Sequence, residues 1–337
     1  PRAIPRHHNV SPDPMPSQAN QPLPEGYPLE GYRIAWVLSC GGFSIVYLAY
    51  DAMGMPVAIK EYLPSHLALR NEGDALPSIA QENLASFRYG MRCFFEEGRS
   101  LAMLSHPNVV RVLNFFRANE TVYIVMRYER GRTLQEHIQA RHGTLKEAFL
   151  RGLFANLLNG LREVHRHKLL HLDIKPANIY IRNDGTPVLI DFGAARQTLS
   201  HERPALNPMY TPGFAPPEQY RQREVLGPWS DVYSIGASLY SCLSGSAPPP
   251  ADRRIEKDRY ISAARTWRER YSRDLLDTID WCLELDHMER PQSVFELQKV
   301  LLGERAPARR SQASLVGRLR GNVRHALERV AGRPARP

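Results

Sequence analysis

The sequence has few of the features that would indicate a membrane-spanning, secreted or zinc-binding protein. No apolar run is long enough for a transmembrane helix, and no charged-then-apolar signal segment opens the chain. Only four cysteines are present, Cys40, Cys93, Cys242 and Cys282. They are widely spaced and form no CxxC pair. This disfavours a zinc site or a disulfide framework and favours reduced thiols in a cytoplasmic protein.

The net charge of +9 is concentrated near the carboxyl terminus. Residues 303–337 contain nine arginines and two glutamates, so most of the excess lies in this basic tail. The body of the chain is close to neutral, so we do not expect it to bind nucleic acid. Within the tail, residues 313–331 would place apolar side chains on one face of a helix and arginines on the other. This segment is expected either to contact an anionic membrane or a partner, or to act as a flexible linker.

The remaining sequence divides into a disordered leader and two lobes. Residues 1–30 are rich in Pro, Ser, Asn and Gln, which predicts a disordered leader. Short β-branched runs separated by turns predict an antiparallel meander from residue 32 to 63, with further strands at 109–117 and 121–128. Helical spacing predicts helices at 86–104, 133–141, 146–167, 229–244, 274–285 and 292–302. This order predicts an α+β protein with a first lobe at 31–130 and a second at 131–302.

Five short motifs follow one another through the two lobes. They are "LSCGGFSIVY", "PVAIK", "HLDIKPANIY", "IDFG" and "APPEQY". Each is a weak signal alone, but the ordered set resembles the protein kinase family, and in particular the bacterial eukaryotic-like serine/threonine kinases, over about residues 32–302. The resemblance implies a bilobal kinase fold with a small antiparallel β-rich N-lobe, which holds one main helix, and a larger α-helical C-lobe.

The resemblance also implies a nucleotide site for ATP with Mg²⁺, or alternatively Mn²⁺. Phosphoryl transfer depends on positioning and on neutralising charge, so cations and amide donors are needed. Lys60 would reach the phosphates and pair with Glu97 on helix 86–104, with Glu96 as the alternative. The phosphate loop departs from the family pattern G-x-G-x-x-G-x-V, because Ser39 stands at its first glycine position. The other residues expected to contact the nucleotide are Gly41, Gly42, Ser44, Val46, Ala58, Met126, Arg127, Glu129 and Tyr180, with Ile179 as the alternative to Tyr180.

The third and fourth motifs imply the catalytic and metal-binding groups. By the resemblance, Asp173 would orient the substrate hydroxyl, and Lys175 would stabilise the transferred phosphoryl group. Asn178 and Asp191 would hold the metal ions. The pattern Asp-x-Lys-Pro-x-Asn is typical of serine/threonine kinases, so the implied partner is a protein substrate with a Ser or Thr acceptor. The alternative function is a pseudokinase or scaffold that binds nucleotide and partners without transfer.

Leu172 stands where most regulated kinases have an arginine that binds a phosphate on the activation loop. A leucine cannot bind phosphate, so we expect activity that does not require phosphorylation of Thr198 or Ser200 through this route. Three further contacts are expected from the resemblance: Thr211 with Asp173 and Lys175, Glu218 with Arg290, and Asp231 with the backbone near His171. The long polar segment between Lys60 and Glu97 is either a docking site for a regulator or a tolerated surface loop.

Overall fold

A computed structural model describes residues 20–141, 145–192, 210–221 and 223–304. The described chain forms two compact units. The first contains residues 20–106 and Val110–Arg130, and the second contains Pro107–Val109 and the described residues from Gly131 onwards. The predictions for residues 1–19, Thr198, Ser200 and the basic tail helix at 313–331 fall outside the described residues.

The first unit is built on a six-stranded antiparallel sheet in the order β1-β2-β3-β4-β8-β7. The predicted meander and helix are confirmed, with one helix, α1, packed on the sheet. The strands of this sheet are β1 Pro28–Leu29, β2 Tyr32–Cys40, β3 Ser44–Tyr50, β4 Pro56–Tyr62, β7 Val112–Ala118 and β8 Thr121–Arg127, and the helix is α1 Leu84–Ala102.

The register of this sheet assigns its residues to two faces. Val46 pairs with Lys60, and Ala58 pairs with Met126, so these four side chains share one face. Helix α1 covers part of the same face. A Cβ at Gly98 of α1 would lie 3.0 Å from Ile124 Cγ1, so glycine allows the close approach of helix and sheet. The alternate residues of β4, including Glu61, point to the opposite face and are buried there.

Residues 20–30 correct the predicted extent of the disordered leader, because they are folded. Strand β1 pairs with β2, with Leu29 opposite Tyr32. Leu23 and Leu29 are each 2 % exposed, and the Leu23 N–H donates to the Tyr47 hydroxyl at 3.1 Å. The average composition of residues 1–30 is polar, and it does not reveal that these two leucines become buried on folding.

The polar segment that follows Lys60, for which no regular structure was predicted, contains a second small sheet. Strand β5, Ala68–Leu69, pairs with β6, Ser78–Ile79, and a 3₁₀ turn at Gln81–Asn83 leads into α1. Leu63, Leu67 and Ala68 are buried. The segment is therefore anchored to the first unit by apolar side chains.

The second unit is mainly helical, as predicted. Helices α3, α5, α8 and α9 pack together, and a Cβ at Gly236 of α5 would lie only 2.4 Å from Cys282 Cβ on α8, so this crossing requires glycine. The helices are α2 Leu134–Ala140, α3 Glu147–Arg166, α4 Pro217–Arg221, α5 Pro228–Ser244, α6 Ala251–Glu256, α7 Ala263–Thr266, α8 Arg273–Cys282 and α9 Val294–Leu301. A three-stranded sheet in the order β11-β10-β9 comprises β9 Gly131–Thr133, β10 Ile179–Arg182 and β11 Pro187–Leu189.

The sequence predicted neither membrane-spanning helices nor disulfide bonds. Among the described helices, none combines the length and the apolar character that a bilayer crossing requires. All four cysteines lie in the described ranges and are free thiols. Cys40 in the phosphate loop is exposed as a residue, but partial desolvation of its thiol raises the pKa and favours the protonated form.

Candidate active site

The predicted phosphate loop forms the turn between β2 and β3. Gly41 and Gly42 are exposed at its tip, and the Gly41 N–H donates to Ser44 O at 2.9 Å, which closes the turn. Ser39 pairs with Val46 across the two strands. A serine at the first glycine position is therefore accommodated as an ordinary strand residue, and the turn itself is formed by the residues that follow it.

Lys60 and Glu97 are both buried in the first unit. Lys60 lies in β4 at 6 % exposure, and Glu97 lies in α1 at 3 % exposure. The Lys60 ammonium is 5.5 Å from the centre of the Phe94 ring on the same helix. The side chain of Glu96 is 41 % exposed and forms an ion pair with Arg99 at 3.0 Å. Of the two glutamates, Glu97 is therefore the buried one, whereas Glu96 is engaged in an ion pair at the surface.

The first-unit residues expected around the adenine lie on the sheet face of Lys60 and at the end of β8. Val46, Ala58 and Met126 share the sheet face that carries Lys60. Arg127 and Glu129 lie at and beyond the end of β8. The Arg127 N–H donates to Arg111 O at 2.9 Å, so any main-chain contact from Arg127 to a ligand would use its carbonyl oxygen.

Tyr180 belongs to the second unit, in β10. Its hydroxyl donates to Gly131 O at 2.9 Å, and its ring is partly exposed. The alternative, Ile179, is completely buried. Only Tyr180 of this pair presents surface to a ligand.

Asp173 is the centre of a hydrogen-bonded cluster in the second unit. Lys175 Nζ donates to Asp173 Oδ2 at 2.8 Å, and Asn178 Nδ2 donates to the same oxygen at 2.9 Å. The Thr211 hydroxyl donates to Asp173 Oδ1 at 2.7 Å and accepts from Lys175 Nζ at 2.9 Å. The expected contact of Thr211 with Asp173 and Lys175 is confirmed. Three donors fix the carboxylate in one orientation.

The residues before Asp173 are held by a buried carboxylate. Asp231 on α5 accepts the backbone N–H groups of His171 at 2.9 Å and Leu172 at 2.8 Å, as expected, and it also pairs with His165 at 2.7 Å. Burial alone would raise the pKa of Asp231. The hydrogen bond and the charge of His165 together have the larger effect, so the pKa of Asp231 is lowered. The main cause that lowers the pKa of His171 is its burial. The negative charge of Asp231 is therefore held against the backbone of His171 and Leu172.

Leu172 has a backbone conformation that is uncommon for a residue with a side chain. Its φ is +60°, in the left-handed region, at a cost of about 1–2 kcal/mol. Besides the bond to Asp231, its carbonyl oxygen accepts from Gln219 Nε2 at 2.9 Å, and its side chain is buried. These contacts offset the free-energy cost of the left-handed backbone at Leu172. They also fix the backbone that leads into Asp173, and with it the direction of the Asp173 side chain.

Asn178 and Asp191 lie at neighbouring points of the second unit. The Ile190 N–H donates to Asn178 O at 3.0 Å, and Asp191 follows directly, exposed and with a φ of +60°. Both side-chain bonds of Asn178 use Nδ2, so Oδ1 is the atom that can ligate a cation. In the described part of the chain, no three acidic, histidine or cysteine side chains are grouped so that they could hold a metal ion. One carboxylate and one amide oxygen still suit a hard divalent cation, because Mg²⁺ usually takes few protein ligands together with substrate phosphates.

A second buried ion pair has a structural role. Arg290 Nη1 and Nη2 donate to Glu218 Oε1 and Oε2 at 2.8 and 3.0 Å, which confirms the expected pair. Ser230 at the start of α5 also donates to Glu218 at 2.7 Å. These contacts join the segment after Thr211 to the helical core.

One buried charged cluster was not predicted. In the first unit, Arg70 donates to both oxygens of Glu61 at 2.6 and 2.7 Å, and both side chains are fully buried. The hydroxyls of Tyr47 and Tyr123 also donate to Glu61, each at 2.6 Å. The alternation of β4 could have indicated that Glu61 is buried, since it shares a face with Val57 and Ile59, but no local pattern identifies which arginine is its partner.

Comparison with known proteins agrees with this geometry. Residues 32–301 match the family model described as the protein kinase domain. Serine/threonine-protein kinase B of Synechocystis sp. is 31 % identical over 66 % of this chain and 38 % of its own length. Serine/threonine-protein kinase C of the same organism is 30 % identical over 81 % of this chain and 49 % of its own length. PrkC of Bacillus subtilis is 30 % identical over 64 % of this chain and 31 % of its own length.

A solved structure described as the apo form of PpkA-294 is similar in fold. It has a TM-score of 0.73 and 36 % sequence identity, and the match covers 83 % of this chain and 99 % of that one. The chain spans less than half the length of the curated relatives. The family match extends over most of the chain, on the bilobal α+β fold described above. The chain therefore belongs to the protein kinase family.

Proposed function

We propose that this chain is a serine/threonine protein kinase that transfers the γ-phosphate of ATP to a Ser or Thr hydroxyl of a protein, in bacterial signalling. The observation that supports this most is the cluster at Asp173. A carboxylate next to Lys175, with a threonine hydroxyl and an asparagine amide on its oxygens, suits a group that orients an acceptor hydroxyl beside a cation for the phosphoryl group.

The other groups have complementary roles in this proposal. Membership of the family implies ATP, a divalent cation and a protein substrate. Mg²⁺, with Mn²⁺ as the alternative, would neutralise phosphate charge when bound, and Asn178 and Asp191 are the residues suited to hold it. Lys60, supported by Glu97, would bind the phosphates of the nucleotide. The substrate protein would approach the segment of Thr211.

The experiment that tests the proposal follows labelled phosphate from ATP to proteins that contain Ser and Thr, in the presence and absence of Mg²⁺. Transfer that depends on the cation and produces phosphoserine or phosphothreonine is the expected result. Nucleotide binding without transfer would favour the alternative scaffold function. Lys60, Glu97, Asp173, Asn178 and Asp191 are all present, which supports the active enzyme.

Independence from activation-loop phosphorylation is a further part of the proposal. Leu172 is buried and its N–H is bonded to Asp231, so its side chain offers no cation to a loop phosphate. The phosphotransfer rates of the Thr198→Ala and Ser200→Ala variants are therefore expected to stay within about twofold of the wild-type rate. Loss of a charge-assisted contact would produce a larger change. Initial rates of the purified variants, with phosphatase-treated wild-type protein as control, provide the measurement. Loss of nearly all activity in either variant would contradict this expectation.

The basic tail and the location remain predictions. Contact of residues 313–331 with anionic membrane would appear as co-sedimentation with anionic vesicles that weakens at high salt, and binding unaffected by salt would argue against it. Four free thiols support a cytoplasmic location.

A further inference from the structure

The tip of the phosphate loop is attached to the segment that follows β4. The Leu63 N–H donates to Phe43 O, and the Ser65 N–H donates to Gly42 O, each at 2.9 Å. The Ser65 hydroxyl donates to the same Gly42 oxygen at 3.2 Å. The rings of Phe43 and His66 are 5.0 Å apart. Four contacts therefore join two loop residues to residues 63–66, which we call the brace.

The brace extends the regular pairing of the sheet. The β3–β4 ladder ends where Ser44 is opposite Tyr62, and the bond from Leu63 to Phe43 continues the same register by one position. The loop tip is consequently attached to a sheet strand on this side. A phosphate loop held only by its two flanking strands would have greater conformational freedom.

The brace is itself firmly anchored. Leu63 and Pro64 are buried, and the Leu67 N–H donates to Pro64 O at 3.0 Å, which forms a turn. The Asn20 amide donates to Leu63 O at 3.2 Å and to Ala68 O at 3.1 Å. The brace is thus held both by the folded residues before β1 and by the small sheet that follows it.

We propose that the brace positions the phosphate loop for nucleotide binding, so that Ser65 and Phe43 are positioning residues for the phosphates of ATP. This inference rests on the proposed function because it takes the nucleotide as the ligand of the loop. Binding phosphate requires the backbone amides of the loop to adopt one conformation, and a loop already ordered by the brace loses less conformational entropy when the nucleotide binds. The brace also offers a reason why Ser39 is compatible with the loop, because contacts with residues 63–66 help to fix the conformation of the loop.

Ser65→Pro is the most direct test. Proline removes the N–H that donates to Gly42, and position 65 is the second residue of the Pro64–Leu67 turn, where the φ of proline is favoured. Ser65→Ala removes only the hydroxyl and keeps the N–H. Met53→Ala is the matched control, because Met53 is exposed in the turn at the other end of the β3–β4 hairpin.

The expected result is a separation of KM from kcat. Ser65→Pro should raise the KM for ATP, and the Kd for a non-hydrolysable ATP analogue, by about five- to tenfold, which corresponds to ordering roughly one residue of backbone. Ser65→Ala should give a smaller increase, and Met53→Ala should give none. The kcat of all three variants should stay within about twofold of the wild-type value, because Asp173 and its partners lie in the other unit.

Amide hydrogen exchange in the nucleotide-free protein provides a second measurement. The Leu63 amide should exchange faster in Ser65→Pro than in wild-type protein or Met53→Ala, as expected if the brace opens. Unchanged Kd and KM in Ser65→Pro would overturn the inference. If wild-type protein binds the analogue but transfers no phosphate, the proposed function fails, while a weaker Kd in Ser65→Pro would still support the brace.

Discussion

Replacement of Arg70 by methionine is expected to lower the free energy of unfolding by about 3–5 kcal/mol, the usual effect of removing one member of a buried ion pair. Arg70 and Glu61 are fully buried, and two of the guanidinium nitrogens contact the carboxylate. Burial alone would lower the pKa of Arg70, but the hydrogen bond and charge of Glu61 outweigh it and raise the pKa. Without Arg70, the buried Glu61 carboxylate would have no cation beside it, and of its described contacts the hydroxyls of Tyr47 and Tyr123 would remain.

Chemical denaturation followed by circular dichroism measures this effect, and two further variants make it specific. Arg273→Met removes an arginine whose side chain is 89 % exposed and whose ion pair with Asp277 is on the surface, so we expect a change below about 0.5 kcal/mol. Glu61→Gln combined with Arg70→Met removes both charges and should recover part of the stability that the single variant loses. If Arg70→Met unfolds like Arg273→Met, the buried pair does not contribute as the geometry indicates.

Asp173→Asn is expected to reduce phosphotransfer by about 10²–10⁴-fold, the contribution usually made by a positioned general base. Asparagine has nearly the same shape, but it is neutral and has one acceptor oxygen where aspartate has two. Lys175, Thr211 and Asn178 all donate to Asp173, so the amide nitrogen of the variant would face a donor. The kcat should fall because the acceptor hydroxyl loses its partner.

Nucleotide affinity separates this effect from misfolding. Asp173 is not among the residues expected to contact the nucleotide, so the Kd for ATP of Asp173→Asn should stay within about threefold of the wild-type value. Asp184→Asn is the matched control, since Asp184 is exposed and only caps the β10–β11 turn through the Thr186 N–H at 2.9 Å. Its activity should be unchanged. Wild-type rates in Asp173→Asn would exclude Asp173 as the catalytic group.

The sequence was sufficient to predict the main elements and the contacts near the catalytic segment. Long apolar or periodic segments identified α1, α3, α5 and α8 to within a few residues; α1, α3 and α8 bury one face, and α5 is buried along most of its length. The bonds of Thr211, the pair of Glu218 with Arg290, and the bonds of Asp231 were also predicted. They involve residues that the kinase motifs identify, so their partners could be named although they are distant in sequence.

The short helices α6 and α7 of the second unit were not predicted, and two errors in the first unit share one cause. The folded residues 20–30 and the small β5–β6 sheet are short and polar on average. Their stability depends on partners 40 to 50 positions away, such as the bonds of Asn20 with Leu63, Ala68 and Arg70. Neither periodicity nor composition records such pairings, and Arg70 in a polar segment resembles an ordinary surface arginine.

The folded residues before β2 also affect where a stable shortened form of this protein can begin. The family match starts at residue 32. A polypeptide shortened to that point would lose strand β1, the bond from the Leu23 N–H to Tyr47, and the Asn20 side chain that accepts from the Arg70 N–H. A polypeptide that begins at or before Asn20 keeps these contacts, so we expect it to be more stable than one that begins at residue 32.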